Sequence, residues 1–448
     1  MTTTTKVHAQ WSSRMGFVLA ATGSAVGLGN IWKFPYMVGD SGGAAFVLIY
    51  LACIFLIGLP ILVGEWLLGR RGQKNPIYTM QDLAAKSGSS KAWVLVGLSG
   101  VLAAFLILSF YSVIGGWSLA YVKDAVIGNF AGQDGDGIGA LFTGLLASPA
   151  ILVFWHSLFM LITIGIVARG VTGGLEKAAK TLMPALAGLL VLLVLYGMTT
   201  GGFMQALDFM FKPDWSQLHG GIVLAALGHA FFTLSLGMGI MMAYGSYLGE
   251  DVNLLQAART VVILDTVIAL AAGLAIFPIV FANGLDLGQG PGLIFVTLPV
   301  AFGNITAGWL VGVAFFVLLT FAAITSAISL LEPVVEFVEE RTPLSRLAST
   351  VVAGIAAWAL GILALLSFNL LGDFLILGLN IFDLLDTLTS KFLLPLTGLG
   401  VILFVAWCLE KEDVRKELGL DIYDFSLWNL LARYLAPVGV LIVFFANL

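Results

Sequence analysis

Hydrophobic residues in this chain run in long blocks rather than alternating, and polar residues gather in the gaps between them. A block of about 20 apolar residues is long enough to cross a bilayer as a helix. Such blocks fall near 14–38, 43–70, 91–124, 150–169, 175–199, 219–247, 253–282, 304–340, 347–366, 375–409 and 426–446. The pattern predicts an all-α polytopic membrane protein with eleven spans in a single domain over 1–448. Two gaps stand out: an Asp/Gly stretch, Gly132 to Gly139, and a longer one, Asn283 to Phe302. In the second, Gly288, Gly290, Pro291 and Gly292 punctuate apolar residues, as expected of a folded lid.

The first block is not a simple helix. Gly23, Gly27 and Gly29 place three glycines in seven residues of the stretch that ends at Asn30. Each costs a helix interior roughly 1 kcal/mol relative to alanine, so an unwound turn competes with the helix. Bare carbonyls and amides are tolerated at that depth only where they line a protein cavity. Close helix packing would also use such glycines. The sixth block echoes the first: Thr233 to Gly239 carries a second Gly-x-Gly interruption among small hydroxyl residues. The echo comes five helices later, and an odd number inverts the second unit in the membrane. Paired interruptions of this kind point to a transporter site at the interface of a 5+5 inverted repeat. The repeats would cover about 11–199 and 219–410, with the helix at 426–446 peripheral.

Composition agrees with the class. Hydrophobic residues make up 59% and charged residues 10%, and the mean hydropathy is +1.02, whereas soluble domains carry roughly a quarter charged residues. A net charge of −5 with no long charged run suggests no nucleic-acid partner. Cys53 and Cys408 sit in apolar blocks, and His8, His156, His219 and His229 lack metal-ligand spacing. Polar Met1 to Gln10 leads into the first block without a secretory cleavage signal. Basic residues fix orientation: Lys6 and Arg14, then Arg70, Arg71, Lys74, Lys86 and Lys91, then Arg169, Lys177 and Lys180 lie on one side. Arg259, Arg341, Arg346, Lys411, Arg415 and Lys416 continue the series. The positive-inside rule therefore predicts a multi-pass plasma-membrane protein with a cytoplasmic N-terminus and an extracellular C-terminus.

A broken helix turns the positive end of one half and the loosened carbonyls of the other toward the same gap. A zwitterionic amino acid fits both, and hydroxyls with one carboxylate complete an oxygen shell for an alkali cation. Asn30, Thr233, Asp265, Thr325 and Ser326 lie at suitable depth, although such hydroxyls also commonly bond to the preceding turn. Asp265 is the strongest candidate, because an ionised carboxylate in a membrane helix costs at least about 2.5 kcal/mol without a partner. Glu65, Glu332 and Lys391 lie nearer predicted helix ends, where they could snorkel or pair structurally.

These motifs resemble one family over essentially the whole chain: the neurotransmitter:sodium symporters, bacterial amino-acid branch, with the leucine-transporter fold. The likeness rests on Trp11, on Gly23 to Asn30 with Phe34-Pro35, and on Gly42 to Phe46. It continues through Phe231 to Gly237 and Ile324-Thr325-Ser326. The resemblance implies two sodium ions. One would meet the Ala25 carbonyl, Asn30, Thr233, Asp265 and the substrate carboxylate. The other would meet the carbonyls of Gly23, Val26 and Ala322 and the hydroxyls of Thr325 and Ser326. Substrate carboxylate would meet the Leu28 and Gly29 amides and Tyr111, and its ammonium the carbonyls of Ala25, Phe232 and Thr233 and the Ser235 hydroxyl. The side chain would lie among Ile107, Tyr111, Phe232, Met238, Ser326 and Leu330.

Particular residues refine the expectation. Monoamine carriers of the family have an aspartate where this chain has Gly27, so glycine leaves room for the substrate's own carboxylate. Met238 is a flexible wall, which implies broad acceptance of apolar and aromatic amino acids. Lys33 replaces a gating arginine opposite Asp386 and lacks its bidentate fork, and His229 replaces an amide beside that gate. Ala269 at the family's chloride position, with Asp265 where asparagine is common, implies chloride independence. His8 stands at the inner-gate arginine's place, opposite Glu340. Gly174 and Pro184 at the start of the fifth span mark an end that could unwind. A twelfth helix is missing, and no obligate protein partner is indicated beyond substrate and membrane lipid. An enzyme or a channel is the rival reading, but neither a nucleophile-base or metal-ligand arrangement nor a filter loop is visible.

Overall fold

The computed structural model describes residues 9–217, 219–285, 287, 290–305 and 307–446. His8 and Gly288 lie outside them. The described chain is all-helical. In order the helices are α1 (Arg14–Ala25), α2 (Gly29–Asp40), α3 (Ala44–Gly72), α4 (Pro76–Lys86), α5 (Lys91–Val126) and α6 (Gly135–Leu146). Next come α7 (Pro149–Val167), α8 (Val171–Met198), α9 (Phe203–Phe211), α10 (Gly220–Thr233), α11 (Ile240–Ser246) and α12 (Leu254–Ala282). The last are α13 (Leu293–Asn304), α14 (Gly308–Arg341), α15 (Arg346–Leu366), α16 (Ile381–Cys408), α17 (Lys411–Leu418) and α18 (Ile422–Ala446).

Among the described residues, nine helices are long and apolar enough to span a membrane, or ten when α1 and α2 count as one span bent by 48°. The expected number was eleven. The difference is the sixth block, which forms α10 and α11 with a non-helical stretch between them, so neither piece reaches spanning length alone. The gap at Gly132 to Gly139 is not all loop, because Asp134 caps α6 by accepting from the Gly137 amide at 2.9 Å. The described part of the second gap contains α13.

Several helices widen by one residue just before an X-Pro pair. Phe34, Leu59, Leu298 and Ala436 each donate a backbone N–H five residues back, to the carbonyls of Gly29, Ile54, Leu293 and Leu431, and each is followed by proline. Proline lacks the N–H for the carbonyl four residues back and collides with it, so a wide turn accommodates the ring without ending the helix. The core is built around α14, the most deeply buried span, which packs chiefly against α5 and also against α8 and α1. Helix α8 is the least buried span, with α7 and α18 next, and α8 and α18 present Val191, Leu192, Leu195, Val438 and Ile442 outward, as a lipid-facing surface requires.

Candidate functional site

The break between α1 and α2 comes at Val26, whose backbone turns to an extended conformation at ψ 95°. The break between α10 and α11 is enforced more strongly. Ser235, Gly237 and Gly239 all have positive φ, at 54°, 74° and 67°. Three left-handed residues in five cannot continue a right-handed helix. The strained one is Ser235, and its hydroxyl offsets the cost by donating to the Ser24 carbonyl at 2.9 Å, tying the two breaks together. At Gly237 any Cβ would strike the Leu394 carbonyl oxygen. Its N–H donates to Glu65 Oε1 at 2.7 Å, so the fully buried Glu65 neither snorkels nor lies at a helix end, but satisfies the backbone that the break exposes.

The two breaks flank a small cavity, about 310 Å³ when the open space at its mouth is included. Ten of the eleven substrate positions expected from sequence line it: Ala25, Leu28, Gly29, Ile107, Tyr111, Phe232, Ser235, Met238, Ser326 and Leu330. Thr233 instead faces Asp265. Ser24, Gly27 and Ile240 also line the cavity; of these Ile240 carried no signal, being one more apolar residue after the second break. One end is polar: the Leu28 amide donates to the Tyr111 hydroxyl at 3.2 Å, and Ser326 donates to the Ser24 carbonyl at 3.2 Å. The remaining walls, Ile107, Phe232, Met238, Ile240 and Leu330, are apolar.

Beside this cavity sits a cluster of oxygens around Asp265. Asn30 Nδ2 donates to Asp265 Oδ1 at 2.8 Å, Thr233 Oγ1 to both carboxylate oxygens at 3.0 and 3.2 Å, and the Tyr50 hydroxyl to Oδ2 at 3.2 Å. Asn30, Thr233 and Asp265 are all fully buried. Among the described residues Asp265 has no cationic side chain as partner, so its donor set fits a carboxylate that meets a small hard cation through oxygen. Tyr50 was not foreseen, and nothing local marks it. A second convergence joins α1 to α14: Thr325 Oγ1 donates to the Ala322 carbonyl at 3.0 Å and reaches the Val26 carbonyl at 3.5 Å. A Cβ on Gly23 would lie 3.4 Å from Thr325 Cβ. Val26, Ala322 and Thr325 thus meet through their oxygens with Gly23 packed beside Thr325, while the Ser326 hydroxyl turns to the Ser24 carbonyl.

The gate residues are placed differently from one another. The Lys33 ammonium lies 4.4 Å from the centroid of the Phe232 ring, a wall of the cavity, while Asp386 accepts from Ser390 at 2.9 Å; the two do not pair in this conformation. His229 is buried against the rings of Tyr50, Phe34 and Phe46, at 5.3, 5.8 and 6.4 Å. Glu340 accepts from Asn75, backbone at 3.1 Å and side chain at 2.6 Å. Glu332 pairs with Arg346 and accepts from the Tyr247 hydroxyl at 2.7 Å. Trp11 donates to the Tyr244 carbonyl at 3.0 Å and Glu176 holds Ser12, so the approach to α1 is fastened to α11 and α8. Gly174 lies in the wide first turn of α8 and Pro184 in its interior. A larger cleft of about 1670 Å³, including the open space at its mouth, is lined by Gly170, Val171, Tyr247, Glu336, Glu340 and Arg346 and reaches none of the residues around Asp265.

Residues 8–134 and 149–448 match the sodium:neurotransmitter symporter family. The chain belongs to that family. It is a multi-pass membrane transporter that uses sodium, and not an enzyme. It is 39% identical over 97% of its length to the uncharacterized sodium-dependent transporter YhdH of Bacillus subtilis, covering 96% of that protein. A sodium- and chloride-dependent GABA transporter of Drosophila melanogaster is 26% identical over 74% of the chain and 39% of its own length. Among solved structures, MhsT in complex with L-phenylalanine superposes with a TM-score of 0.91 at 47% identity, over 99% of this chain and all of that one.

Proposed function

We propose that this symporter carries hydrophobic and aromatic L-amino acids inward across the plasma membrane with sodium, by alternating access and without a chloride requirement. The observation that carries the reading is the cavity: Gly27, the Leu28 amide and Tyr111 at one end, and five apolar walls at the other. A zwitterion with an apolar side chain matches both ends, and the structurally similar MhsT was solved with L-phenylalanine. The substrate carboxylate would meet the Leu28 and Gly29 amides and Tyr111; its ammonium would meet the Ala25, Phe232 and Thr233 carbonyls and Ser235. Met238 would repack around side chains of different shape.

Two sodium ions would bind. One takes Asn30, Thr233, Asp265 and the Ala25 carbonyl with the substrate carboxylate as a further ligand, which couples ion to solute. The other takes the Gly23, Val26 and Ala322 carbonyls with Thr325 and Ser326, bracing α1 against α14. The two breaks would lie at corresponding places in inverted repeats over about 11–199 and 219–410, with the N-terminus cytoplasmic. Lys33 and Asp386 would approach when the outer side closes.

Proteoliposomes separate this from a channel. An inward sodium gradient should concentrate labelled L-tryptophan or L-leucine above equilibrium, and potassium alone should not; simple equilibration would refute the proposal. The buried carboxylate of Asp265 near Ala269 supplies a fixed negative charge, so replacing chloride with gluconate should leave uptake unchanged. Lost uptake in gluconate would overturn chloride independence.

Release to the inside would begin at α8. Pro184 leaves a carbonyl of the helix without its donor, so Pro184→Ala restores one helix hydrogen bond and is expected to slow efflux several-fold while substrate binding is kept. Gly174→Ala is a harsher variant, since its Cβ would strike the Ile166 carbonyl. Unchanged efflux from Pro184→Ala vesicles would count against unwinding at this end.

A further inference from the structure

We propose that Arg433 and Trp407 form a binding site for the phosphate of an anionic membrane lipid. Arg433 belongs to the span α18 and lies against the last turn of α16, and a cation in a membrane span needs a partner. Its guanidinium carbon lies 3.8 Å from the centroid of the Trp407 ring, and the Trp407 indole N–H donates to the Arg433 carbonyl at 3.3 Å. Tyr434 meets the same indole edge-on, with centroids 6.0 Å apart. Trp407 and Tyr434 are 52% and 54% exposed, so this cluster forms part of the outer, lipid-facing surface.

Two facts mark the site as incomplete within the protein. No described carboxylate pairs with Arg433, and its Nε is shut away from solvent with no acceptor. The indole face supports the cation but offers no oxygen to a five-donor fork. Depth decides which oxygen is available. Trp407 is the penultimate residue of α16, and the helix that follows, α17, is held to the end of α3 by the pairs Arg70–Glu417 and Arg71–Asp413. Arg433, Trp407 and Tyr434 are thus level with the charged end of the bundle, where tryptophan and tyrosine sit among headgroups. The abundant anion there is a lipid phosphate, whose planar-fork recognition by arginine is bidentate. The cation–π platform fixes the guanidinium in place before the lipid arrives.

The test is to reconstitute the full chain in phosphatidylcholine vesicles containing phosphatidylglycerol, extract it gently, and measure retained lipid by mass spectrometry. Wild type should retain phosphatidylglycerol over phosphatidylcholine. Arg433→Gln should reduce that preference on the order of five-fold, the effect of one basic residue at a charged surface. Arg433→Lys should keep part of it, and Trp407→Leu should weaken it with the charge intact, which gives a second reading should Arg433→Gln fold poorly. Millimolar inorganic phosphate should not displace the lipid. Equal retention by wild type and Arg433→Gln, no preference in wild type, or displacement by free phosphate would each overturn the proposal.

Discussion

Replacing Asp265 with alanine is expected to abolish sodium-stimulated substrate binding, and replacing it with asparagine to weaken apparent sodium affinity about ten-fold. The two variants differ in what they leave behind. Asparagine keeps an oxygen for Asn30 Nδ2 and Thr233, while its amide nitrogen can donate to the Tyr50 hydroxyl, which is able to accept in turn. Only the charge is lost. Attraction between a cation and a carboxylate about 4 Å apart is worth about 4 kcal/mol at an effective dielectric of 20. The asparagine carbonyl dipole keeps part of that attraction, and a loss of roughly 1.5 kcal/mol is about ten-fold in affinity. Alanine also strands the Thr233 and Tyr50 hydroxyls, each costing about 1–3 kcal/mol, and leaves Asn30 Nδ2 with only the backbone carbonyl of residue 265. Binding of labelled L-tryptophan titrated with sodium reads both. A fixed carboxylate that stands in for a mobile anion makes one more demand: chloride should recover part of the sodium affinity of Asp265→Asn and do nothing for wild type. Sodium titrations that coincide for all three proteins would remove Asp265 from the ion site.

The sequence made the two breaks visible because glycine's backbone freedom is written in the residue itself. It could not show that Ser235, between the glycines, also turns left-handed, since that conformation is held by the Ser24 carbonyl from a helix 211 residues away. The partners of Tyr50 and Glu65 were hidden for the same reason: Asp265 and the Gly237 amide lie 215 and 172 residues along the chain. Glu65 did carry a usable signal, because an acid within a membrane span needs a partner by default. The sixth block, expected to be a broken span, falls short of spanning length when each of its helical pieces is measured alone. The same glycines that announce the site shorten α10 and α11 below that length. The short polar helix α4 was legible and overlooked, for Asn75 and Pro76 are a capping residue and a first-turn proline.

Gly27→Ala is expected to weaken amino-acid binding on the order of 100-fold while the protein still folds. A Cβ at this position would overlap Ser326 Oγ and lie 3.0 Å from the Tyr111 hydroxyl and 3.2 Å from Ser326 Cβ. Neither neighbour can step back freely: Ser326 donates to the Ser24 carbonyl, and Tyr111 accepts from the Leu28 amide. Both also line the cavity, so movement away from the methyl shrinks or reshapes the polar end. Overpacking of this kind costs about 1–3 kcal/mol, which is about five-fold to 150-fold, and a cavity of this size has little slack to absorb it. Gly27→Asp goes further, because its carboxylate would occupy the place proposed for the substrate's own. That variant should reject L-phenylalanine and gain affinity for phenethylamine, the same molecule without its carboxyl group. Competition binding with the two ligands, alongside thermal unfolding to show that the variants fold, gives the answer. Wild-type affinity for L-phenylalanine in Gly27→Asp would mean that the substrate carboxylate lies elsewhere, and the assignment of the polar end would fall with it.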